Sequence, residues 1–433
     1  MASFAVTGND VARCVLRAFE TLPAKRKPLP RGNGVREWVP LSGIVLTRGN
    51  GPMTCVSLGT GMKCLPVSKV ERAKGVVLHD WHAEIVAVRA FNRFLLQECA
   101  ILAKTGAGTS AYLRRCSPDE LRDGSPQPFS ILEDVRVYMY CSEAPCGDAS
   151  MELVMRSQED ATPWHLPPLS DVPRAETSQD ELRGRGYFSE LGIVRRKPAR
   201  PDAPQTLSKS CSDKLTMYQC TSLLGSVCST LVRPDHAYIH TLILPESQCV
   251  PEAVVRAFGP TGRMSALNSR ITGQWNSGYA FRPFEIGTTD LEFAFSRRSG
   301  SQDQRLVPSN VSAVYTPHTQ ETLVGGTLQG RKQYDPQGAS VISRKSMWAA
   351  AVEVATLVPL PSLAESLSQA SYRDFKSHRI LSERAGVKND VKEHALKGWV
   401  RNVDDTFTLE LGRPSTAGPR EREQGPSVIG RRA

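Results

Sequence analysis

Residues 80–96 read DWHAEIVAVRAFNRFLL and give the clearest helix signal in this chain of 433 residues. Apolar side chains recur at helical spacing from Ile85 onward, and Asp80 is a suitable N-cap, so we predict a helix that continues to about Leu102. His82 and Glu84 would then lie in its first turn. The start of the helix therefore carries two side chains that are capable of chemistry.

Strand patterns lie on either side of this helix. Residues 43–47 and 54–58 are β-rich runs joined by an Asn-Gly turn, which predicts a hairpin. Residues 135–141, VRVYMYC, alternate as a strand does, and Pro145 suits the first turn of a second helix that runs to about residue 155. Cys146 would stand at the start of that helix. These elements predict an α/β fold.

The remaining sequence indicates one large domain with extensions. We expect an amphipathic N-terminal helix and extension over residues 1–37, the domain itself over 38–411, and a disordered tail over 412–433. Residues 158–204 are rich in Pro, Asp, Glu, Arg and Ser, which predicts a long surface insertion. Further strand or helix patterns occupy residues 238–244, 252–258, 291–295, 314–315 and 346–356, and a basic helix begins at Tyr372.

Composition limits the classes of function. The formal net charge is +10 and the isoelectric point is about 9.1, which favours a polyanionic partner without naming it. No apolar run is long enough to span a membrane, and no secretion signal is recognisable. The eleven cysteines are scattered in apolar settings, so we expect reduced thiols in the cytoplasm or nucleus. No protein partner is evident.

Three separated motifs indicate a metal site. A neutral imidazole and a thiolate suit Zn²⁺, which makes His82 and Cys146 candidate ligands, while Glu84 can reach a metal-bound water without binding the ion. Zinc nucleoside deaminases continue their motif with a second Cys, but Ala149 stands at that place here. Either the interpretation is wrong or a third ligand is distant in sequence. Cys211, in the polar run SCSDK at a predicted helix start, supplies it.

These motifs resemble a known family. In this order, HAE at 82–84, PCGDA at 145–149 and SCSDK at 210–214 resemble the catalytic domain of adenosine deaminases acting on RNA and their tRNA relatives, over roughly residues 38–407. The resemblance implies a three-layer zinc-dependent deaminase core with an enlarged C-terminal helical region. It also implies that Glu84 takes a proton from a zinc-activated water and passes it to the departing ammonia, which leaves inosine.

The resemblance also suggests a branch and a substrate. Only about 36 residues precede the first family-like strand, too few for a double-stranded-RNA-binding module, so the chain is similar to the tRNA branch, which deaminates the adenosine 3′ of the anticodon in tRNA-Ala. A double-stranded-RNA editor, an inactive RNA-binding relative and a purely structural zinc site are the alternatives. Residues that would contact RNA phosphates, unless they belong to a solvated loop, are Lys63, Arg195, Arg196, Lys197 and Arg200.

Finally, the family encloses an inositol hexakisphosphate, and the resemblance implies the same cofactor here. Six phosphate groups need many cations, and burying those cations without the ligand would be very costly. Asp80 and Lys214 would relay hydrogen bonds between the metal site and the polyphosphate. The residues expected to hold the polyphosphate are Arg89, Lys214, Arg344, Tyr372, Lys376 and Trp399.

Overall fold

The computed structural model describes residues 6–28, 34–121, 126–158, 162, 182–183, 188–197, 203–299, 304–402 and 406–409. The helices in these residues are, in chain order, α1 (Gly8–Glu20), α2 (Ala83–Thr105), α3 (Met151–Arg156), α4 (Cys211–Thr221), α5 (Pro251–Phe258), α6 (Ser269–Thr272), α7 (Arg344–Leu357), α8 (Pro361–Leu367), α9 (Tyr372–Ser377) and α10 (Ser382–His394). The strands are β1 (Val35–Trp38), β2 (Leu41–Arg48), β3 (Thr54–Thr60), β4 (Leu113–Arg115), β5 (Phe129–Ile131), β6 (Val135–Cys141), β7 (Leu182–Arg183), β8 (Arg195–Arg196), β9 (Thr241–Pro245), β10 (Glu285–Thr289), β11 (Arg305–Pro308), β12 (Val311–Thr316), β13 (Thr319–Val324) and β14 (Thr327–Leu328).

A mixed sheet of eight described strands forms the centre of the molecule, in the order β10-β9-β6-β2-β3-β12-β13-β14. Strands β10, β9 and β6 are parallel to one another, and every other neighbouring pair is antiparallel. The predicted hairpin is confirmed as β2 and β3, and the predicted strand over residues 135–141 is confirmed as β6. Helices cover both faces, so the three-layer α/β fold is confirmed.

The N-terminal helix forms one outer layer. Its apolar side packs Val15 and Phe19 against alternate residues of the sheet, among them Leu41, Val45 and Leu58. The amphipathic helix expected from the sequence is therefore present, and it contributes to the core instead of standing outside it. Burial of each such side chain stabilises the fold by about 1.5–3 kcal/mol.

The opposite face of the sheet carries the long helix α2, which packs on β2, β3 and β12. Its side chains join Ile44 and Leu46, which point away from the α1 face, in a large apolar cluster that extends to α4, α5 and α7. The helix approaches β3 closely because Gly59 has no side chain: a Cβ there would lie 2.4 Å from a Val86 methyl group. This contact fixes the start of α2 over β3, an interior strand of the sheet.

Several sequence-predicted boundaries are corrected. Helix α2 begins at Ala83 and not near Asp80, because His82 is itself the extended N-cap residue. The helix predicted from Pro145 is wrong at its start: Cys146 lies in a loop, a short 3₁₀ turn follows, and α3 begins only at Met151. Most of the proposed insertion over 158–204, and the whole tail over 412–433, lie outside the described residues.

The C-terminal region is helical, as expected, with α7 packed on α2 and α10 packed on α4. Trp348 of α7 is fully buried among aromatic rings that include Tyr372, Phe375 and Phe407. Within the described residues, no helix combines the length and the apolar composition that crossing a bilayer demands.

Candidate active site

The three predicted metal ligands come together at one end of the sheet. His82 caps α2, Cys146 follows β6 in a loop, and Cys211 is the first residue of α4. The Nδ1 atom of His82 lies 3.8 Å from Cys146 Sγ and 3.7 Å from Cys211 Sγ. A tetrahedral zinc ion with ordinary bond lengths requires N to S separations of about 3.6 Å. The donor set and its spacing therefore fit zinc.

Backbone bonds hold the two thiol loops directly against each other. The amide of Cys211 donates to Cys146 Sγ over 3.3 Å, and the amide of Ser212 donates to the Cys146 carbonyl over 3.0 Å. The Ser212 hydroxyl also donates to the Pro145 carbonyl over 2.9 Å. Cys211 stands at a true helix start, as predicted, with Ser210 as its N-cap. The spacing of the two sulfur atoms is therefore set by the backbone.

Thiolate character at this site has a clear electrostatic cause. The hydrogen bond from Cys211 holds the pKa of the Cys146 thiol well below its ordinary value, against the opposing effect of burial, and the positive charge of Lys197 acts in the same direction. A low thiol pKa favours metal binding, because the thiolate is the form that coordinates a metal.

Glu84 lies in the first turn of α2 and is almost completely buried, with 5% of its surface exposed. Burial raises the pKa of its carboxyl group, and the nearby Cys146 thiolate raises it further. A carboxyl group with a raised pKa, close to the metal ligands, suits proton transfer. Glu84 is the second residue of α2 and lies two positions after His82, the N-cap.

Asp80 organises the charges around the metal ligands. One carboxylate oxygen accepts from the His82 amide over 3.0 Å. The other accepts from Lys197 Nζ over 2.8 Å, from Ser208 Oγ over 2.6 Å and from Lys214 Nζ. These two lysines outweigh the effect of burial and hold the pKa of Asp80 well below its usual range. The predicted contact between Asp80 and Lys214 is therefore present.

Lys197 lies deeper than its predicted role suggests. The basic run was predicted to contact RNA phosphates beside the site, but the Lys197 side chain is buried and donates to Cys211 Sγ over 3.1 Å as well as to Asp80. Burial alone would lower the pKa of Lys197, yet the Asp80 and thiolate charges raise it well above its usual value. The local charge run RRK gives no sign that its last member turns inward.

The other predicted RNA contacts differ in their exposure. Arg195 is buried, with 2% of its surface exposed, so the described structure does not present its side chain to RNA phosphates. Arg196 and Lys63 are half-buried, and Lys63 Nζ donates to the Asn310 side chain. Arg200 lies outside the described residues.

Of the residues predicted to hold a polyphosphate, Arg89, Lys214 and Arg344 lie near Asp80 and His79. Arg89 donates from Nε to the Ile342 carbonyl over 2.8 Å, and burial together with the neighbouring Arg344 charge lowers its pKa to about 10. Tyr372 is buried, Trp399 is half-buried and lies under Lys209 Nζ, and Lys376 is exposed. The structure therefore brings Arg89, Arg344 and Lys214 together and leaves Lys376 nearer the surface.

The sequence interpretation missed several cationic or titratable members of this region. Burial lowers the pKa of Lys392, and the charges of Arg401, Lys376 and Arg384 lower it further. Burial and the charges of Arg344, Arg89 and Lys214 lower the pKa of His79 to about 2. We call the following residues the cation cluster: His79, Arg89, Lys214, Arg344, Lys376, Arg384, Lys392 and Arg401.

A His-Cys-Cys donor set beside a buried glutamate defines the centre of a metal-dependent hydrolytic enzyme. The sequence model of the adenosine-deaminase (editase) domain matches residues 57–403. The chain is 35% identical to tRNA-specific adenosine deaminase 1 of Schizosaccharomyces pombe, over 92% of this chain and 96% of that protein. It is 32% identical to the human protein of the same name, over 92% and 99%. The chain belongs to the adenosine-deaminase (editase) domain family.

A more distant similarity connects the chain to the second branch of that family. The double-stranded RNA-specific editase B2 of Mus musculus is 26% identical over 86% of this chain but only 47% of its own length. The two relatives named for tRNA, in contrast, match over nearly their whole length.

Proposed function

We propose that this protein is a zinc-dependent hydrolase that converts adenosine to inosine in tRNA, at the adenosine immediately 3′ of the anticodon of tRNA-Ala. The observation that carries the proposal is the convergence of His82, Cys146 and Cys211 beside the buried carboxyl group of Glu84. The names of its full-length relatives support tRNA as the substrate. The basic net charge suits an RNA ligand.

Zinc fits the donors that are present, since one imidazole nitrogen and two cysteine sulfurs lie within 4.8 Å of one another and are the donor types that zinc prefers. Bound there, zinc would supply a water whose pKa is low enough for it to act as a nucleophile at neutral pH. His82, Cys146 and Cys211 would hold the ion, and Lys197 would stabilise the negative charge of Cys211.

Glu84 carries the proton in this proposal. Its carboxylate accepts the proton of the attacking water and then donates it to the amino group that leaves the adenine ring as ammonia. Because the side chain is buried, bulk solvent competes little with this transfer. The target base must leave its stack to reach Glu84, which costs least in a single-stranded loop such as an anticodon loop. Lys63, Arg196 and Arg200 are our candidates for contacts with the RNA backbone.

Inositol hexakisphosphate fits the cation cluster. Burial lowers the pKa values of Arg89, Lys392 and His79, and neighbouring cations lower them further, so the charged forms are disfavoured here. Arg384 Nε and His79 Nε2 are buried and have no hydrogen-bond partner among the described residues. A polyanion would satisfy both features, and it would be held by the members of the cluster together with Tyr372 and Trp399. Lys214, which also donates to Asp80, would connect it to the metal site.

Mass spectrometry of treated tRNA tests the proposed function. Purified zinc-loaded protein is incubated with tRNA-Ala, with a tRNA-Ala variant in which guanosine replaces the target adenosine, and with long duplex RNA. We expect inosine only in the first RNA, and a loss of rate of about 10³-fold for Glu84→Gln, because that variant keeps the shape but cannot move the proton. Inosine in duplex RNA but not in tRNA-Ala would instead indicate an editase of double-stranded RNA.

A further inference from the structure

Each thiol ligand is followed two residues later by a completely buried aspartate. Asp148 follows Cys146, Asp213 follows Cys211, and neither carboxylate is exposed at all. Each is paired with one arginine: Arg256 Nε lies 3.1 Å from Asp148, and Arg263 Nη1 lies 2.6 Å from Asp213. Ion pairs alone would account for the burial of the two carboxylates but not for their other contacts.

Both aspartates also bind the backbone of the same short piece of chain, residues 188–197, which we call the anchored segment. The Gly192 amide donates to Asp148 Oδ1 over 2.7 Å, and the Arg195 amide donates to Asp213 Oδ2 over 3.0 Å. The two contacts are three residues apart on the segment. It is therefore fixed at one point to the Cys146 loop and at a second point to the start of α4.

The anchored segment ends at Lys197, whose ammonium group contacts Cys211 and Asp80. Between the second anchor and Lys197, backbone bonds continue the attachment: the Ser210 amide donates to the Arg195 carbonyl over 2.8 Å, and the Lys197 amide donates to the Ser208 carbonyl over 2.7 Å. A lysine side chain has many rotamers, so the fixed backbone at Arg195 and Lys197 limits where its charge can lie and favours its contact with one sulfur.

We propose that Asp148 and Asp213 are positioning residues, which seat the anchored segment on both thiol loops and thereby hold the Lys197 ammonium group against Cys211 Sγ. The motif Cys-x-Asp occurs at both thiol ligands. In each case the cysteine would bind the metal, and the aspartate two residues later binds the segment that carries Lys197. The proposal rests on the proposed zinc site, and it predicts that Asp148 affects the metal through Lys197 although it contacts no metal ligand side chain.

Zinc affinity of the full-length protein, measured by chelator competition, tests this proposal. We expect Asp148→Asn and Lys197→Met each to weaken zinc binding about tenfold, the usual effect of residues that support metal ligands. The double variant should be no weaker than Lys197→Met alone, because the aspartate acts through the lysine. Glu152→Gln is the matched control: Glu152 pairs with the same Arg256, at 2.5 Å, but contacts nothing in the anchored segment.

Asp213 needs a different design, because Asp213→Asn alone would leave Arg263 buried without its carboxylate. The pair Asp213→Asn with Arg263→Gln removes both charges and keeps hydrogen-bonding groups in place. We expect it to weaken zinc binding about tenfold and to shift the visible bands of the cobalt-substituted protein, as Lys197→Met does, while circular dichroism stays unchanged. A cobalt spectrum reports the geometry of the metal ligands, which a general loss of stability would not change.

The outcomes separate the two proposals. Additive losses in the double variant, or equal effects of Asp148→Asn and Glu152→Gln, would overturn the positioning role while leaving the zinc site intact. Wild-type protein that binds zinc no better than Cys211→Ser would overturn the proposed metal site, and the positioning role with it.

Discussion

The metal site and the cation cluster lie side by side, yet they handle buried charge in opposite ways. At the metal site the charges around Asp80 have partners: Asp80 faces Lys197 and Lys214, and Lys197 also faces Cys211. In the cation cluster several cations lie near one another, so that burial first and the charge of Arg344 second disfavour Arg89 and His79 as cations. The first region pairs opposite charges around Asp80, and the second gathers like charges that a bound anion would favour.

This difference indicates that the stability of the cation cluster depends on a ligand more than that of the metal site does. A buried ion pair is expensive to form but more expensive to break, so the metal site should keep its arrangement as long as its own residues are intact. A set of buried like charges, in contrast, lowers stability until an anion arrives. Lys214 belongs to both regions, because it donates to Asp80 and lowers the pKa of His79. It is the direct electrostatic connection between them.

The largest effect should follow from removing the shared carboxylate. Asp80→Asn leaves the buried ammonium group of Lys197 and the half-buried one of Lys214 without their shared anion, and we expect the free energy of unfolding to fall by about 3–5 kcal/mol. Urea denaturation measures this loss. Asp134→Asn is the control, since Asp134 pairs with Arg48 at 3.1 Å on the exposed surface and should cost less than about 1 kcal/mol. Equal losses would show that the metal site is not neutralised by this carboxylate.

The second effect tests the need for an anion in the cation cluster. Inositol hexakisphosphate, added at about 100 times its dissociation constant to protein freed of bound anions, should stabilise the fold by about 2.7 kcal/mol. Thermal unfolding with and without the ligand measures the gain. Arg384→Met should weaken it, because Arg384 is buried within the cluster, whereas Arg136→Gln, on the exposed face of β6, should leave it unchanged. Stabilisation that survives Arg384→Met would place the ligand elsewhere.

The sequence was sufficient for the parts of the molecule whose signals are local. The period of α2, the hairpin of β2 and β3, and the thiol at the start of α4 were all predictable, because each depends on side-chain spacing within about twenty residues. The start of α3 was not, because proline favours a first helical turn without requiring one. Lys197 is buried for a reason that only the fold shows, namely the carboxylate of Asp80, which is distant in sequence. The Arg195 side chain likewise lies among the charges of Asp148 and Asp213, which only the fold brings near it.

Several members of the cation cluster could not be predicted from the sequence. Arg384 and Lys392 lie on α10, a helix of mostly polar composition, and an isolated polar helix gives no sign of which face is buried. The sequence does not indicate a role for His79, because a single histidine beside a longer motif carries little information. Only the packing of α10 on α4 shows that these residues crowd together.

The smallest expected effect is a pH dependence of stability. It uses His79 to compare the cation cluster with and without a bound polyphosphate. Burial and the cations around it lower the pKa of His79 to about 2, whereas an unfolded histidine titrates near 6.5. Below about pH 6.5 the unfolded chain therefore binds a proton that the folded protein does not. This one residue should make stability fall as the pH decreases, with a slope of about 0.7 kcal/mol per pH unit at pH 6.5 that approaches about 1.4 kcal/mol per pH unit near pH 5.

Unfolding curves between pH 6.5 and 5 measure this slope, and His79→Gln, which cannot titrate, should flatten it by that amount. A bound polyphosphate reverses the sign of the field at the imidazole, so the pKa of His79 should rise and the wild-type slope should approach that of the variant. If wild type and His79→Gln have the same slope without ligand, the cations named here do not face His79. If the ligand leaves the wild-type slope as it was, the anion does not bind where these cations meet.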